Sequence, residues 1–168
     1  MITGRIWKFG DDINTDLMLP GPLLTASEAE QARAVFAASR PGWVDQIAPG
    51  DIIVAGRNFG TGSSRPAARS LRNIGIAALL APSINGLFFR NAVSFGFLAL
   101  ECPGVDAAFD EGQTAEISLD AWTVRNRDSG AVLSANPVPE RLLALMQGGG
   151  IYPLLEAQGL IAPRDTRR

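Results

Sequence analysis

The sequence predicts an α/β domain in which a central βαβαβ parallel unit is followed by a small antiparallel meander. Three observations carry this expectation. Short apolar runs recur at residues 52–54, 76–80 and 97–100, with glycine or proline within two or three residues of each end. The segments between them repeat apolar residues at three- and four-residue spacing, as helices do. Beyond Glu101 the pattern changes to short alternating runs at 113–119 and 121–125, which suit half-buried antiparallel strands. The right-handed crossover rule folds the 50-residue middle portion, about a third of the chain, into parallel strands with helices packed against them.

Residues 4–9 alternate enough to form a first strand, with Ile6 on one face and Arg5, Trp7 and Phe9 on the other. Gly10, Asp11 and Asp12 turn the chain into residues 13–19, which carry Asn14, Thr15 and Asp16 on an otherwise apolar segment. On spacing alone, Asp16 reads as an Asx turn or a cap. Pro20-Gly21-Pro22 then blocks regular structure. Ser27 and Glu30 form an S-x-x-E capping box, and Ala29, Ala32, Val35 and Phe36 continue a helix expected to end near Arg40-Pro41-Gly42.

Ile52, Ile53 and Val54 are consecutive β-branched residues, as in a strand covered on both faces. The run stops in a glycine- and serine-rich loop, so residues 50–65 read GDIIVAGRNFGTGSSR. Pro66 suits a first helical turn, and the helix is expected to run to Gly75. A strand–loop–helix junction gathers backbone N–H groups and the positive helix end, and so attracts anions. Arg65 adds a fork that grips a carboxylate through two parallel bonds. The lysine of a phosphate loop and the three-glycine dinucleotide fingerprint are both absent here, which favours a carboxylate or small anion over a nucleotide. On composition alone the loop also fits a tight turn capped by Ser64.

After the second apolar run, Pro82-Ser83 is expected to open a helix containing Ile84, Leu87, Phe88 and Phe95, closed by Gly96. Arg90 and Asn91 lie side by side on it, which on pattern alone reads as a solvated polar face. Pro139 starts a further helix to Gln147, and Gly148-Gly149-Gly150 reads as a flexible hinge. Residues 151–160 make a last short helix and 163–168 a frayed tail.

At 168 residues and a formal charge of −2, the chain is one domain of ordinary size without a basic cluster, which argues against nucleic acid or an anionic membrane as its main partner. Hydrophobic residues make up 46%, but no apolar run approaches the roughly 20 residues of a membrane span. With no charged-then-apolar leader, a cytoplasmic protein is expected. Cys102 is the only cysteine and histidine is absent, so this chain alone cannot hold zinc in a usual site or ligate an iron–sulfur cluster. Any base it supplies is a carboxylate, a lysine, a tyrosine or an activated hydroxyl.

The segment GDIIVAGRNFGTGSSR, followed by Phe88-Phe89-Arg90-Asn91-Ala92 and preceded by Gly4-Arg5-Ile6-Trp7-Lys8-Phe9-Gly10-Asp11 and Asn14-Thr15-Asp16, resembles the small subunit of isopropylmalate dehydratase. That subunit is the detached swivelling β/β/α-type domain of the aconitase superfamily. The resemblance implies a hydro-lyase that removes and readds water on a hydroxy-dicarboxylic acid. It also implies a [4Fe–4S] cluster on a separate large subunit, with none on this chain.

Carried onto this sequence, the family's base is Ser63, held as its alkoxide by the amides of Ser64 and Arg65, the helix dipole and the Arg65 charge. Arg65 and Ser64 would bind a substrate carboxylate, Asp16 would orient the catalytic residues, and Gly62 and Thr61 would line the site. Leu23 and Leu24 lie in the loop that selects the substrate. There the usual tyrosine and arginine are replaced by Gly21-Pro22-Leu23-Leu24, and the usual Glu-His after GSSR by Pro66-Ala67. The resemblance leads with an isopropylmalate dehydratase of leucine synthesis. The altered loop keeps open a related enzyme for citramalate, dimethylmalate or homocitrate, and a non-catalytic anion-binding module is the reading of another class. Exposed apolar surface on the isolated subunit would favour self-association.

Overall fold

The computed structural model describes residues 1–62 and 65–163. Its strands are β1 (Ile2–Lys8), β2 (Ile52–Val54), β3 (Ala78–Ala81), β4 (Leu98–Glu101), β5 (Thr114–Ser118), β6 (Thr123–Asn126) and β7 (Val132–Ser134). The helices are α1 (Thr15–Met18), α2 (Glu28–Arg33), α3 (Ala67–Asn73), α4 (Gly86–Phe95), α5 (Val105–Ala108), α6 (Glu140–Gln147) and α7 (Ile151–Ala157), with 3-10 turns at Gly21–Thr25 and Val44–Gln46. All seven strands join one mixed sheet in the order β4-β3-β2-β1-β5-β6-β7.

β1 is where the two halves meet. Its later residues pair in parallel with β2, Ile6 opposite Ile52 and Lys8 opposite Val54. Its earlier residues pair antiparallel with β5, Ile2 opposite Ile117 and Arg5 opposite Thr114. The β2-α3-β3-α4-β4 crossovers supply the parallel half, and β5 and β6 form the expected meander, to which β7 adds a third strand. Ile52, Ile53 and Val54 are wholly buried, as a strand covered on both faces requires. Asp51, just before them, is buried too. Its Oδ2 accepts hydrogen bonds from Arg5 Nη2 at 2.7 Å, Trp7 Nε1 at 2.7 Å and the Ala48 amide at 3.0 Å. Burial raises the pKa of this carboxyl, and these donors more than offset it, so the net shift is downward. The carboxylate thereby fixes β2 beside β1.

Several expectations are corrected. The capping box forms, with the Glu30 amide donating to Ser27 Oγ and the Ser27 amide to Glu30 Oε2, but α2 stops at Arg33. Tertiary contacts outcompete helix periodicity there: the Phe36 amide donates to Met18 O at 3.0 Å, its φ is +57°, and its ring packs on Phe9 and Trp43. Residues 20–22 do not block regular structure, because Gly21–Thr25 is a 3-10 turn. α4 starts at Gly86 under an Asn85 cap, later than Pro82-Ser83, because the Asn85 amide is engaged by Phe59 O. The second parallel strand begins at Ala78 rather than Ile76, and α7 ends at Ala157.

The triple glycine is a close packing point rather than a hinge. A Cβ on Gly150, whose φ is +98°, would lie 2.2 Å from Ser94 O, so only glycine lets the α6–α7 turn meet the end of α4. α5 and β7 carry too few patterned residues to be read from sequence. Most of the tail expected at 163–168 lies outside the described residues.

Candidate functional site

Parallel strands send their C-terminal loops to one edge of a sheet, the usual place for ligands in such folds. Here the loop after β1 and the loop after β2 are joined by backbone hydrogen bonds well beyond the strands. Gly56 N donates to Gly10 O (3.0 Å), Asp12 N to Arg57 O (2.9 Å), Gly60 N to Ile13 O (2.7 Å) and Thr15 N to Thr61 O (2.8 Å). On its other side the β2 loop is tied to the one after β3, by Phe59 N to Ser83 O (3.1 Å) and Asn85 N to Phe59 O (2.8 Å). The glycine-rich loop is therefore a central strip held from both flanks. Gly60 is required in it: φ is +84°, and a Cβ there would lie 2.3 Å from Phe88 Cβ.

Side chains reinforce the strip. Asn58 and Asp12 both adopt positive φ, and Asn58 Nδ2 donates to Asp12 Oδ1 at 2.8 Å. The Arg57 amide donates to Asp11 Oδ1 at 2.7 Å, and this bond, with that from the Arg57 side chain, lowers the Asp11 pKa. Asn14 caps α1 by accepting from the Leu17 amide at 2.8 Å. The cap is thus Asn14, which leaves Asp16 free of that task in the first turn of α1.

Asp16 is instead paired with Arg65. Arg65 Nε lies 2.7 Å from Asp16 Oδ1, and Arg65 Nη1 donates to Leu19 O at 2.9 Å. The Arg65 side chain is only 17% exposed and that of Asp16 62%, so the cation is seated in the protein while the anion reaches it from solvent. Gly21 lies against the same guanidinium, since a Cβ there would be 3.5 Å from Nη1. Two residues distant in sequence, Asp16 and Arg65, are thereby brought together beside the Gly21–Thr25 turn that presents half-buried Leu23 and exposed Leu24. Thr61 is half-buried and Gly62 exposed, at the end of the strip. Ser63 and Ser64 lie outside the described residues.

The helix-dipole contribution is smaller than the sequence implies. Pro66 precedes α3 rather than lying in its first turn, and the Ala67 amide donates to Arg65 O across it. α3 is only seven residues long and has no side-chain cap. Arg90 is exposed on α4. Sequence reasoning missed Asn14 as the cap, Thr15 as a buried polar residue and Gln31, whose burial under the Gly21–Thr25 turn has no sequence signature beyond helical position.

Among the described residues no group of three or more His, Cys, Asp or Glu is placed to hold a metal ion. Cys102 is buried, its thiol donates weakly to Ser134 O, and burial pushes its pKa up to about 11. Such a thiol does not fit the thiolate set that an iron–sulfur cluster needs. No helix among the described residues is long and apolar enough to cross a membrane.

The aconitase C-terminal domain family matches residues 25–104. Over 161 residues the chain is 42% identical to a 3-isopropylmalate dehydratase small subunit 1 of Methanopyrus kandleri, covering 95% of each chain. It is 37% identical to the isopropylmalate/citramalate isomerase small subunit of Methanocaldococcus jannaschii, over 93% of this chain and 94% of that one. It is also 40% identical to a methanogen homoaconitase small subunit of Methanothermobacter thermautotrophicus, over 90% and 88%. A crystal structure of 3-isopropylmalate dehydratase from Methanocaldococcus jannaschii superimposes with a TM-score of 0.87 at 32% identity, covering 95% of each chain.

Proposed function

The chain belongs to the family of 3-isopropylmalate dehydratase small subunits, and from that premise we propose that Ser63, Arg65 and Asp16 form its contribution to a hydro-lyase active site. The chain is the small subunit of a heteromeric dehydratase and acts with a large subunit. It serves leucine synthesis in the cytoplasm. The observation that carries the proposal is the seating of Arg65 against Asp16 and Leu19 O, beside the Gly21–Thr25 turn and two residues after Ser63.

Deprotonated Ser63 takes the proton from the carbon next to the hydroxyl-bearing one. The C–H electron pair becomes the C=C bond as the hydroxyl leaves with the C–O pair; readdition puts a hydroxyl on the carbon that lost the proton, and the proton held by Ser63 goes to the carbon that lost the hydroxyl, which gives the isomer. Arg65 holds a substrate carboxylate and lowers the cost of the serine alkoxide. Asp16 keeps the guanidinium at one angle. Ser64, Gly62 and Thr61 line the approach, and Leu23 and Leu24 present apolar surface to the substituent. The iron–sulfur cluster that aconitase-type dehydratases use belongs to the large subunit; when bound there it supplies Lewis-acid assistance to the departing hydroxyl.

A second reading, a related acid as substrate, is favoured by one feature. The Gly21–Thr25 turn, where the family usually has a tyrosine and an arginine, carries no cation or aromatic ring. The chain co-expressed anaerobically with its large subunit should dehydrate isopropylmalate in preference to citramalate, dimethylmalate and homocitrate. Preference for one of the others would support the second reading, and turnover of none by a complex with its cluster intact would remove both.

A further inference from the structure

Gln31 is 2% exposed in α2, with its amide between two groups of opposite need. Its Nε2 faces three backbone carbonyls in and just after the Gly21–Thr25 turn, Leu23 O at 3.1 Å, Leu24 O at 3.2 Å and Ala26 O at 3.2 Å. Its Oε1 accepts from Arg69 Nη2 at 2.9 Å, in α3. The amide orientation follows from chemistry, because the carbonyls need a donor and the guanidinium needs an acceptor. Arg69 Nη1 in turn pairs with Glu28 Oε1 at 2.8 Å, which locks α2 to α3.

The Gly21–Thr25 turn has little else to hold it. It buries no residue, has no side-chain cap, and is closed by Leu23 N to Pro20 O (3.0 Å) and Ala26 N to Leu23 O (3.1 Å). Short 3-10 segments with such bonds open easily unless tertiary contacts fix them. Arg65 fixes the chain just before the turn, at Leu19 O, and Gln31 fixes the turn itself. The helix carrying Arg69 begins immediately after the serine loop and Pro66, so one buried side chain links the two parts of the site.

We propose that Gln31 is a positioning residue that sets the shape of the Leu23–Leu24 surface and, through it, which acid the enzyme prefers. The selectivity half rests on the functional reading above; the brace does not. A leucine at this position takes the side-chain donor from Leu24 O and Ala26 O and leaves Leu23 O only the Ala26 amide, and a glutamate keeps the Arg69 contact while turning an oxygen toward these carbonyls.

The test uses Gln31→Leu and Gln31→Glu in the full chain. Hydrogen exchange at the Leu23 and Ala26 amides should rise about tenfold or more, with β2 and β3 amides unchanged. In the reconstituted complex, KM for isopropylmalate should rise more than kcat falls, and the kcat/KM ratio of isopropylmalate to citramalate should shift by about fivefold or more. Unchanged exchange at those amides overturns the brace. Faster exchange in the turn with an unshifted ratio overturns the selectivity role, and faster exchange across the whole sheet in both variants, or failure of both to fold, makes Gln31 a folding residue. If the wild-type complex dehydrates none of the acids, the functional reading and the selectivity half fall together, and exchange still decides the brace.

Discussion

Asp16 offers a sensitive test of whether Arg65, proposed to bind the substrate carboxylate, depends on its seating. A charge-assisted bond such as Arg65 Nε to Asp16 Oδ1, at 2.7 Å, contributes about 1.5–3 kcal/mol when shielded from water. Asp16 is 62% exposed, so solvent reduces its share to about 1 kcal/mol, or about fivefold in rate. Asp16→Ala leaves Arg65 with its bond to Leu19 O and one less restraint on angle, and kcat/KM of the reconstituted enzyme should fall about five- to tenfold. Asp16→Asn keeps an acceptor without the charge and should lose about two- to threefold. Because the pair borders solvent, the gap between wild type and Asp16→Asn should narrow in about 0.5 M salt. An Asp16→Ala enzyme as active as wild type would refute the seating argument. A loss beyond about a thousandfold would refute it from the other side, since it would make Asp16 a proton-transfer group.

Two predictions concern the frame that carries the site. The Asp51 carboxyl has its pKa lowered on folding, so its stabilisation is fully present above the unfolded value of about 3.9 and is lost as pH falls through the folded value. Asp51→Asn should cost about 2–3 kcal/mol near pH 7, discounted because Arg5 is 43% exposed, and the difference in Tm from wild type should shrink below about pH 4. Denaturation curves at several pH values read both effects, and a Tm gap independent of pH would contradict the assignment. Gly60→Ala forces a Cβ against Phe88 at positive φ and should lower stability by about 2–4 kcal/mol in a thermal melt.

Parallel strands, their crossovers and the meander were legible because their signals are local: β-branched runs, alternation and glycine stops. The capping box at Ser27 and Glu30 was legible for the same reason. The end of α2 was not, because the Phe36 amide is claimed by Met18 O and its ring by Phe9 and Trp43, none of which periodicity can register. At the site, motif resemblance singled out both Arg65 and Asp16, yet the 2.7 Å pair between them exists only once the β1 and β2 loops are zipped together. Gln31 escaped notice since its role depends on three carbonyls eight or fewer residues away and an arginine 38 residues away, a coincidence of packing rather than of pattern. The triple glycine misled for a related reason, as glycine signals both freedom and close approach.

The claim that this chain supplies the base is tested most directly by Ser63→Ala in the complex with its large subunit, assayed anaerobically on isopropylmalate with cluster content measured in parallel. The account predicts that kcat collapses by about a thousandfold or more while the cluster and the subunit assembly stay intact. Activity that survives the substitution unchanged would place the base elsewhere and contradict the account.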